Sequence, residues 1–500
     1  MKKLFLLFFI GNLVLAQGNL LWKKDGNELP SGATTWSTPL IMSNKLFWAG
    51  QDKGFVAMDT ETGSILWNDT VNFANGTYDS PVGFAGKIFI STNNYTDPSA
   101  KKLLALDAET GNILWQKNNF YTSNRSSKPI TEDGKLYAAS SDTLYCFDVN
   151  NGNVVWQKAG KYSNLLIDYN GLRLFAARSD SAKIEVMYRH NGEFVWSINL
   201  PDNEVSIASL AYNYFQTKEY LVVAPGTRQK AIFYCIDIAE QNIVWNNDNI
   251  GYVGNKATPV IYEDKIFAGV EKTTSGSPQE VVAFNLLSGN IIWQNQVRSE
   301  GATNTPYVVA IDGKVYFQSS ENNLNTIAAA DITNGNTLWV TDPQFQFPWP
   351  LVWGSPLIHK DKLFIAKDHE GVFCFNAGTI NGEWTMLGGN RHATNSFTPA
   401  FVGVSNEPKL PDGYYLHQNF PNPFNPSTRI DYQIPNSGNV TLKVYDILGN
   451  EISTIVNEFK QAGNYSVEFG TNNSKLSSGV YFYTLRTGNY FQTKKMIYMK

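Results

Sequence analysis

Short apolar runs such as Lys45-Leu-Phe-Trp-Ala49 and Phe55-Val-Ala-Met58 recur along this chain, separated by clusters of Asn, Asp, Gly and Pro, and strictly alternating runs follow near its C-terminal end. Runs of both kinds, rich in β-branched and aromatic residues, read as strands. They come in sets, and the sets share a closing word. It reads Asp59-Thr-Glu-Thr-Gly63-Ser-Ile-Leu-Trp67, then Asp107-Ala-Glu-Thr-Gly111-Asn-Ile-Leu-Trp115, then Asp148-Val-Asn-Asn-Gly152-Asn-Val-Val-Trp156. Tryptophans recur at 22, 67, 115, 156, 196, 245, 293, 339 and 384, with gaps of 45, 48, 41, 40, 49, 48, 46 and 45 residues. A period of roughly 40–50 residues signals a repeated supersecondary unit.

Within the closing word, Asp hydrogen-bonds its own backbone and Gly supplies a positive φ, so the first half is a turn. The β-branched and aromatic second half is a strand. Further strands lie upstream, as in Pro39-Leu-Ile-Met, Lys45-Leu-Phe-Trp-Ala and Phe55-Val-Ala-Met, and again from Pro259 and Pro356. Each unit is therefore four short antiparallel strands. Such a sheet has two apolar faces and cannot cover both alone, whereas radial stacking covers both. The expected fold is all-β: an eight-bladed β-propeller over residues 17–400, a linker over 401–413, and a small Ig-like β-sandwich over 414–500. Trp22 is a last-strand word without its own three strands, so it is expected to complete the final blade begun by residues 355–376. A seven-bladed ring is the alternative, because two units depart from the pattern, with Tyr188 in place of Asp and Gln241 in place of Gly.

Met1-Lys-Lys3, an apolar stretch from Leu4 to Leu15 and then Ala16-Gln17 have the parts of a secretory signal peptide over residues 1–16. No other apolar stretch reaches membrane length, so no transmembrane segment is expected in the mature chain. The net charge of −4 gives no case for nucleic acid. Cys146, Cys235 and Cys374 each stand two residues before the turn Asp or Asn, where other units carry Ala57, Ala105, Ala283 or Ala329. That slot takes a small buried residue, and its copies lie in separate blades, beyond disulfide reach.

After Trp384 the composition changes. Strands are expected at Arg429 to Ile434, Val440 to Ile447, Gly463 to Phe469, Gly479 to Arg486 and Tyr490 to Met499. The segment Asn419-Phe-Pro421-Asn-Pro423-Phe-Asn-Pro426, with Val444-Tyr-Asp-Ile-Leu-Gly449, Gly479-Val-Tyr-Phe-Tyr483 and Lys494-Lys495-Met496, closely resembles the type A C-terminal sorting domain of the type IX secretion system of Bacteroidota. The resemblance implies passage through the periplasm, recognition by the outer-membrane translocon, and a product that is secreted or held on the outer cell surface. Its marks are Asn419, Pro421, Pro423, Gly449, Gly479, Lys494 and Lys495.

The repeat word is similar to the tryptophan-docking repeat of quinoprotein (pyrroloquinoline-quinone, PQQ) propellers, in which the tryptophans Trp67, Trp115, Trp156, Trp196, Trp245, Trp293 and Trp339 would have a structural role. The alcohol-oxidising branch of that family carries a vicinal cysteine pair and some members a Cys-x-x-Cys-His haem word; this chain has neither. No PQQ, calcium or other cofactor is expected, and no catalytic or metal-binding residue is assigned. The five histidines do not cluster, and His190, His359 and His369 read as surface turn residues.

A binding site is expected where loop length varies. The aromatic-rich crossover before the last unit supplies Phe345, Phe347, Trp349 and Trp353, and Trp36 occupies a similar crossover. These are the candidate contacts for a protein or glycan partner. The competing reading is an enzyme, quinone-dependent or hydrolytic, with its site in the propeller channel.

Overall fold

The computed structural model describes residues 17–29, 38–49, 54–73, 80–92, 101–120, 129–140, 142–168, 171–201, 207–216, 218–225, 232–250, 259–271, 278–298, 307–321, 324–341, 355–367, 371–384, 396–397, 415–416, 418–419, 421–434, 438–460, 463–470, 476–488 and 490–499. The chain divides into two compact units, residues 1–403 and 404–500.

The described residues of the first unit form eight sheets, each with four antiparallel strands at its centre, numbered here in chain order of their opening strands. The first contains Leu40–Met42, Lys45–Ala49, Phe55–Asp59 and Ile65–Asp69. Its pattern repeats closely: opening strands are buried (Tyr162–Ile167 throughout), whereas closing strands such as Ile113–Asn118 alternate between half-buried and exposed. Opening strands thus lie inside and closing strands outside, as radial stacking requires. The small-residue slot has a direct cause. Ala57, Ala105, Cys146, Cys235, Ala283, Ala329 and Cys374 each sit across the ladder from the repeat tryptophan, at 67, 115, 156, 245, 293, 339 and 22 respectively. A larger side chain there would compete with the indole for space.

The sheets are joined by one recurring contact. Each indole lies on the turn glycine of the following sheet: Trp22 on Gly63, Trp67 on Gly111, Trp115 on Gly152, Trp156 on Gly192, Trp245 on Gly289 and Trp293 on Gly335. A Cβ at any of these glycines would stand only 2.7–2.8 Å from the ring, and each glycine has φ of +70° to +74°. In the same six pairs the indole N–H donates to the carbonyl three residues before the glycine, at Thr60, Ala108, Val149, Arg189, Leu286 and Ile332, over 2.8–3.2 Å. On the inner side, the Ser355 amide donates to the Thr38 hydroxyl and the Thr38 amide to the Ser80 hydroxyl, linking the eighth, first and second sheets.

The eighth sheet joins both ends of the unit. Leu357–His359, Lys362–Lys367 and Gly371–Asn376 are completed by Leu20–Asp25 from the N-terminal side. Its turn is rebuilt from two separate segments. Elsewhere the glycine amide bonds the turn Asp carbonyl and the Asp amide bonds the residue after the glycine, as in Gly63 to Asp59 and Asp59 to Ser64. Here Gly18 bonds Asn376 at 2.7 Å, and Asn376 bonds Asn19 at 2.9 Å. Gly18-Asn-Leu-Leu-Trp22 is therefore the second half of a repeat word whose first half ends at Asn376. Gly18 also faces the seventh sheet, but a Cβ there would meet the Val340 carbonyl oxygen before the Trp339 ring, which stands 3.1 Å away. The Trp339 N–H is the exception, buried without a partner.

Trp384, although in step with the others in sequence, is not a ninth copy. The fourth place is already taken by Trp22, so residues after Asn376 turn inward. Trp384 exchanges two backbone bonds with Ile358 of the opening strand, and Ser396–Phe397 runs parallel to Val260–Tyr262, the opening strand of the sixth sheet.

The junction between the fourth and fifth sheets lacks the glycine, because Gln241 stands in its place with φ of 54°. An ionic contact crosses there instead. Arg173 donates to both oxygens of Glu219 at 2.6 and 2.7 Å and to Asp168 at 2.7 Å, and the Tyr212 hydroxyl donates to Glu219 at 2.6 Å. Burial disfavours the guanidinium charge, but Asp168 and Glu219 outweigh it and hold the Arg173 pKa above its ordinary value.

The second unit packs a three-stranded sheet (Tyr415–Leu416, Ser427–Ile434, Gly463–Gly470) on a four-stranded one (Glu451–Lys460, Gly438–Tyr445, Gly479–Thr487, Tyr490–Tyr498) around Leu442, Val444, Tyr483 and Met496. Two strands were not anticipated from sequence, Tyr415–Leu416 and Glu451–Lys460. The latter alternates poorly because it is a sheet edge with two register shifts. The expected strand ending at Ile447 stops at Tyr445, and Ile447 belongs to a turn.

Gly111→Ala is expected to destabilise the chain by about 1–3 kcal/mol through overpacking and left-handed strain, read as a lower denaturant midpoint. Glu219→Ala removes the partner of Arg173 across the junction while Asp168 still pairs with it, and is expected to cost about 1.5–3 kcal/mol in the same measurement.

Candidate functional site

Of the tryptophans that sequence assigned to structure, Trp67, Trp115, Trp156, Trp245 and Trp293 lie on a turn glycine of the next sheet, whereas Trp196 faces a turn with Gln241 in the glycine place. The turn carboxylates are tied down locally. Asp107 accepts from the Thr110 hydroxyl and amide and from the Glu109 amide, and its pKa is lowered chiefly by the Thr110 hydroxyl. A carboxylate engaged in this way is a turn fastener rather than a proton donor.

All three thiols are free and buried. Burial pushes Cys146 up to about 11 and Cys235 up to about 12, and raises Cys374 as well. They therefore stay protonated at neutral pH and behave as small apolar groups.

His190 lies in an exposed turn. His359 does not: it ends the opening strand of the eighth sheet and is buried. Its Nε2 lies 3.0 Å from Asn44 Oδ1 in the first sheet, and its Nδ1 lies 2.9 Å from Glu383. The strand fixes the ring at the junction where the circle closes, which turn-word alignment could not reveal. His369 and His392 lie outside the described residues.

On the side of the second-to-third hairpins, the fourth sheet holds a connected polar group. Tyr162 donates to Glu185 at 2.9 Å, Arg178 lies over the Tyr162 ring and 3.4 Å from Glu185, and Arg178 also pairs with Asp180. Burial and the Glu185 carboxylate raise the Tyr162 pKa. Each charge has an opposite partner, so the group bridges two hairpin strands and the inner strand. Among the described residues, no cluster of three or more His, Cys, Asp or Glu has the geometry of a metal site. The candidate partner-binding residues Trp36, Phe345, Phe347, Trp349 and Trp353 lie outside the described residues.

In the second unit, the Asn-Pro-rich segment has an exact place. It runs along the free edge of the last strand. Gln418 Nε2 donates to the Lys495 carbonyl at 2.6 Å, the Ile497 amide to Asn422 Oδ1 at 2.8 Å, the Phe424 amide to the Ile497 carbonyl at 2.9 Å and the Met499 amide to the Phe424 carbonyl at 3.1 Å. Asn419 is buried: its amide donates to the Tyr483 hydroxyl at 2.6 Å, and its side chain donates to the Pro421 carbonyl and the Thr428 hydroxyl. Pro423 and Pro426 follow cis peptide bonds. Asn419, Pro421, Pro423, Gly479, Lys494 and Lys495 thus converge on one structure, in which the segment fastens the terminal strand that carries both lysines. Gly449 lies apart from them, at φ of +85° in the turn after Tyr445.

Iodoacetamide is expected to leave Cys146, Cys235 and Cys374 unmodified in the native chain at pH 8 and to label all three after denaturation, as read by intact mass.

Comparison with known proteins agrees with both units. A family model described as outer membrane protein assembly factor BamB matches residues 10–164 and 141–386. A secretion system C-terminal sorting domain model matches residues 418–499. No curated protein matches the chain. Among solved structures, BamB from Moraxella catarrhalis is 16% identical with a TM-score of 0.51, covering 71% of this chain and 96% of its own. The quinohemoprotein alcohol dehydrogenase from Comamonas testosteroni is 12% identical with a TM-score of 0.53, covering 72% of this chain and 76% of its own. The computationally designed Ika8 protein is 11% identical with a TM-score of 0.51, covering 72% and 99%. These likenesses establish a β-propeller fold. The sorting domain marks export by type IX secretion to the cell surface or the medium. Docked indoles in one unit and a fastened terminal strand in the other have the same explanation as these matches: the chain belongs to the PQQ_2 family of BamB-like propeller repeats and ends in a type IX sorting domain.

Proposed function

We propose that the mature protein is an eight-bladed propeller delivered outside the cell as a binding scaffold, with a protein or glycan partner recognised by the aromatic crossovers at Trp36 and at Phe345, Phe347, Trp349 and Trp353. The observation that carries this reading is the division between positions. The repeated positions hold the sheets together through indoles, glycines and turn carboxylates. The variable aromatics fall in connections between sheets, where a rigid frame supports recognition. A signal peptide over residues 1–16 would provide the inner-membrane step, leaving a mature start near Gln17. Neither quinone nor calcium has a part in this reading.

The second reading is an enzyme with a site in the channel. The fold likeness to a quinohemoprotein alcohol dehydrogenase is what favours it, and at that level of identity the likeness speaks for fold alone.

The purified exported chain separates the two. The binding reading expects recovery of a defined envelope protein or polysaccharide, and a Trp349→Ala or Trp353→Ala variant that binds at least ten-fold more weakly with an unchanged melting curve. A quinone absorbance, or calcium-dependent dye reduction with alcohols or sugars, would favour the enzyme. Loss of folding in these variants, with undiminished binding by the native fraction, would reject the assigned surface.

A further inference from the structure

We propose that the turn Asp446 to Asn450 is a preformed apolar anchor of the sorting domain, and that Ile447 and Leu448 enter a pocket on the type IX export machinery. The proposal rests on the sorting reading above and adds the contact residues.

Turn tips are ordinarily built from Gly, Asn, Asp and Ser, which lose little by facing water. This one presents two large aliphatic side chains, with Ile447 70% and Leu448 81% exposed. The turn is nevertheless tightly held. Asp446 Oδ1 accepts from the amides of Leu448 and Asn450 at 2.8 and 2.9 Å, and Asn450 Nδ2 donates to Asp446 Oδ2 at 2.9 Å. Backbone bonds run from Asp446 to Asn450 and from Gly449 to Asp446, and Gly449 supplies the left-handed position. A fixed turn with its apolar groups outward has already lost the conformational entropy that a docking partner would otherwise have to remove.

Two observations identify the partner. The turn lies inside the residues matched by the sorting-domain model. It also lies at the end of the sheet that the Asn-Pro-rich segment borders. Tyr445 pairs with Phe482 and Phe482 with Lys495, so the register carries the turn toward Val480 and Ile497, next to Met499, which is 54% exposed. That same end is the part of the last strand fastened by the Asn-Pro-rich segment. A receptor reading the terminal strand would therefore meet Ile447 and Leu448 on the same approach. Phe459 and Phe491, also exposed, lie at the opposite end of the sheet.

The test uses the full-length chain in a host with type IX secretion. An Ile447→Ser, Leu448→Ser double variant is expected to melt as the wild type but to lose at least ten-fold in exported protein, with accumulation in the periplasm. The Phe459→Ser, Phe491→Ser variant is expected to be exported normally. Normal export of the first variant, or equal loss in both, overturns the proposal. Deletion of residues 418–499 must abolish export; if it does not, the sorting reading itself fails, a result distinct from failure of the turn alone. Should the double variant not fold, a photo-crosslinker at Leu448 decides: an adduct with a translocon component supports the proposal, and the same adduct from position 491, or none from 448, rejects it. Self-association or vesicle binding by the purified chain that vanishes in the double variant would assign the turn to a second copy or to lipid, and would overturn it too.

Discussion

Everything in the first unit depends on an indole resting on a bare backbone. A tryptophan is the largest side chain available, and it reaches from one sheet to the next only if the receiving turn has no Cβ and its carbonyl faces the indole N–H. Glycine at positive φ meets the first condition and the Asp-fastened turn meets the second. The small residue opposite the tryptophan on its own sheet provides the remaining space. Three positions far apart in sequence are thereby constrained by one contact. That is why the repeat is so visible in the chain while the strands between are merely apolar.

The exceptions have physical reasons. Where Gln241 replaces the glycine, Arg173 and Glu219 bridge the same pair of sheets. Such a pair is directional and strong only while both partners remain, so this junction depends on two residues where the others depend on shape. At the closing sheet the turn is divided between chain ends, yet both halves keep the roles of the continuous version. The geometry, and not the covalent continuity, is what the fold preserves.

Sheet order, strand content and the joining of Leu20–Asp25 to the last sheet were legible in the chain because the turn-bounded apolar runs and the closing word report on them directly. The thiols were legible for the same reason, since their slot is part of the word. Three features were not. Trp384 has the right spacing, but spacing cannot show that its place was already filled. The burial of His359 comes from the closing junction, a contact between residues 315 positions apart. The edge strand Glu451–Lys460 has no second neighbour to impose strict alternation, so its pattern is weak. In the sorting domain the Asn-Pro-rich segment was recognisable as a mark, but only the coordinates reveal that it clasps the terminal strand.

The divided turn carries a consequence for how the molecule comes into being. Leu20–Asp25 emerges first and has no partner until Gly371–Asn376 has been made, so the circle cannot seal locally. Bringing such distant segments together is entropically slow, though the added cost grows only weakly with the length of the intervening chain. The closing sheet is therefore complete only when every repeat between these two segments has been made, which places the sealing of the array at the end of its assembly.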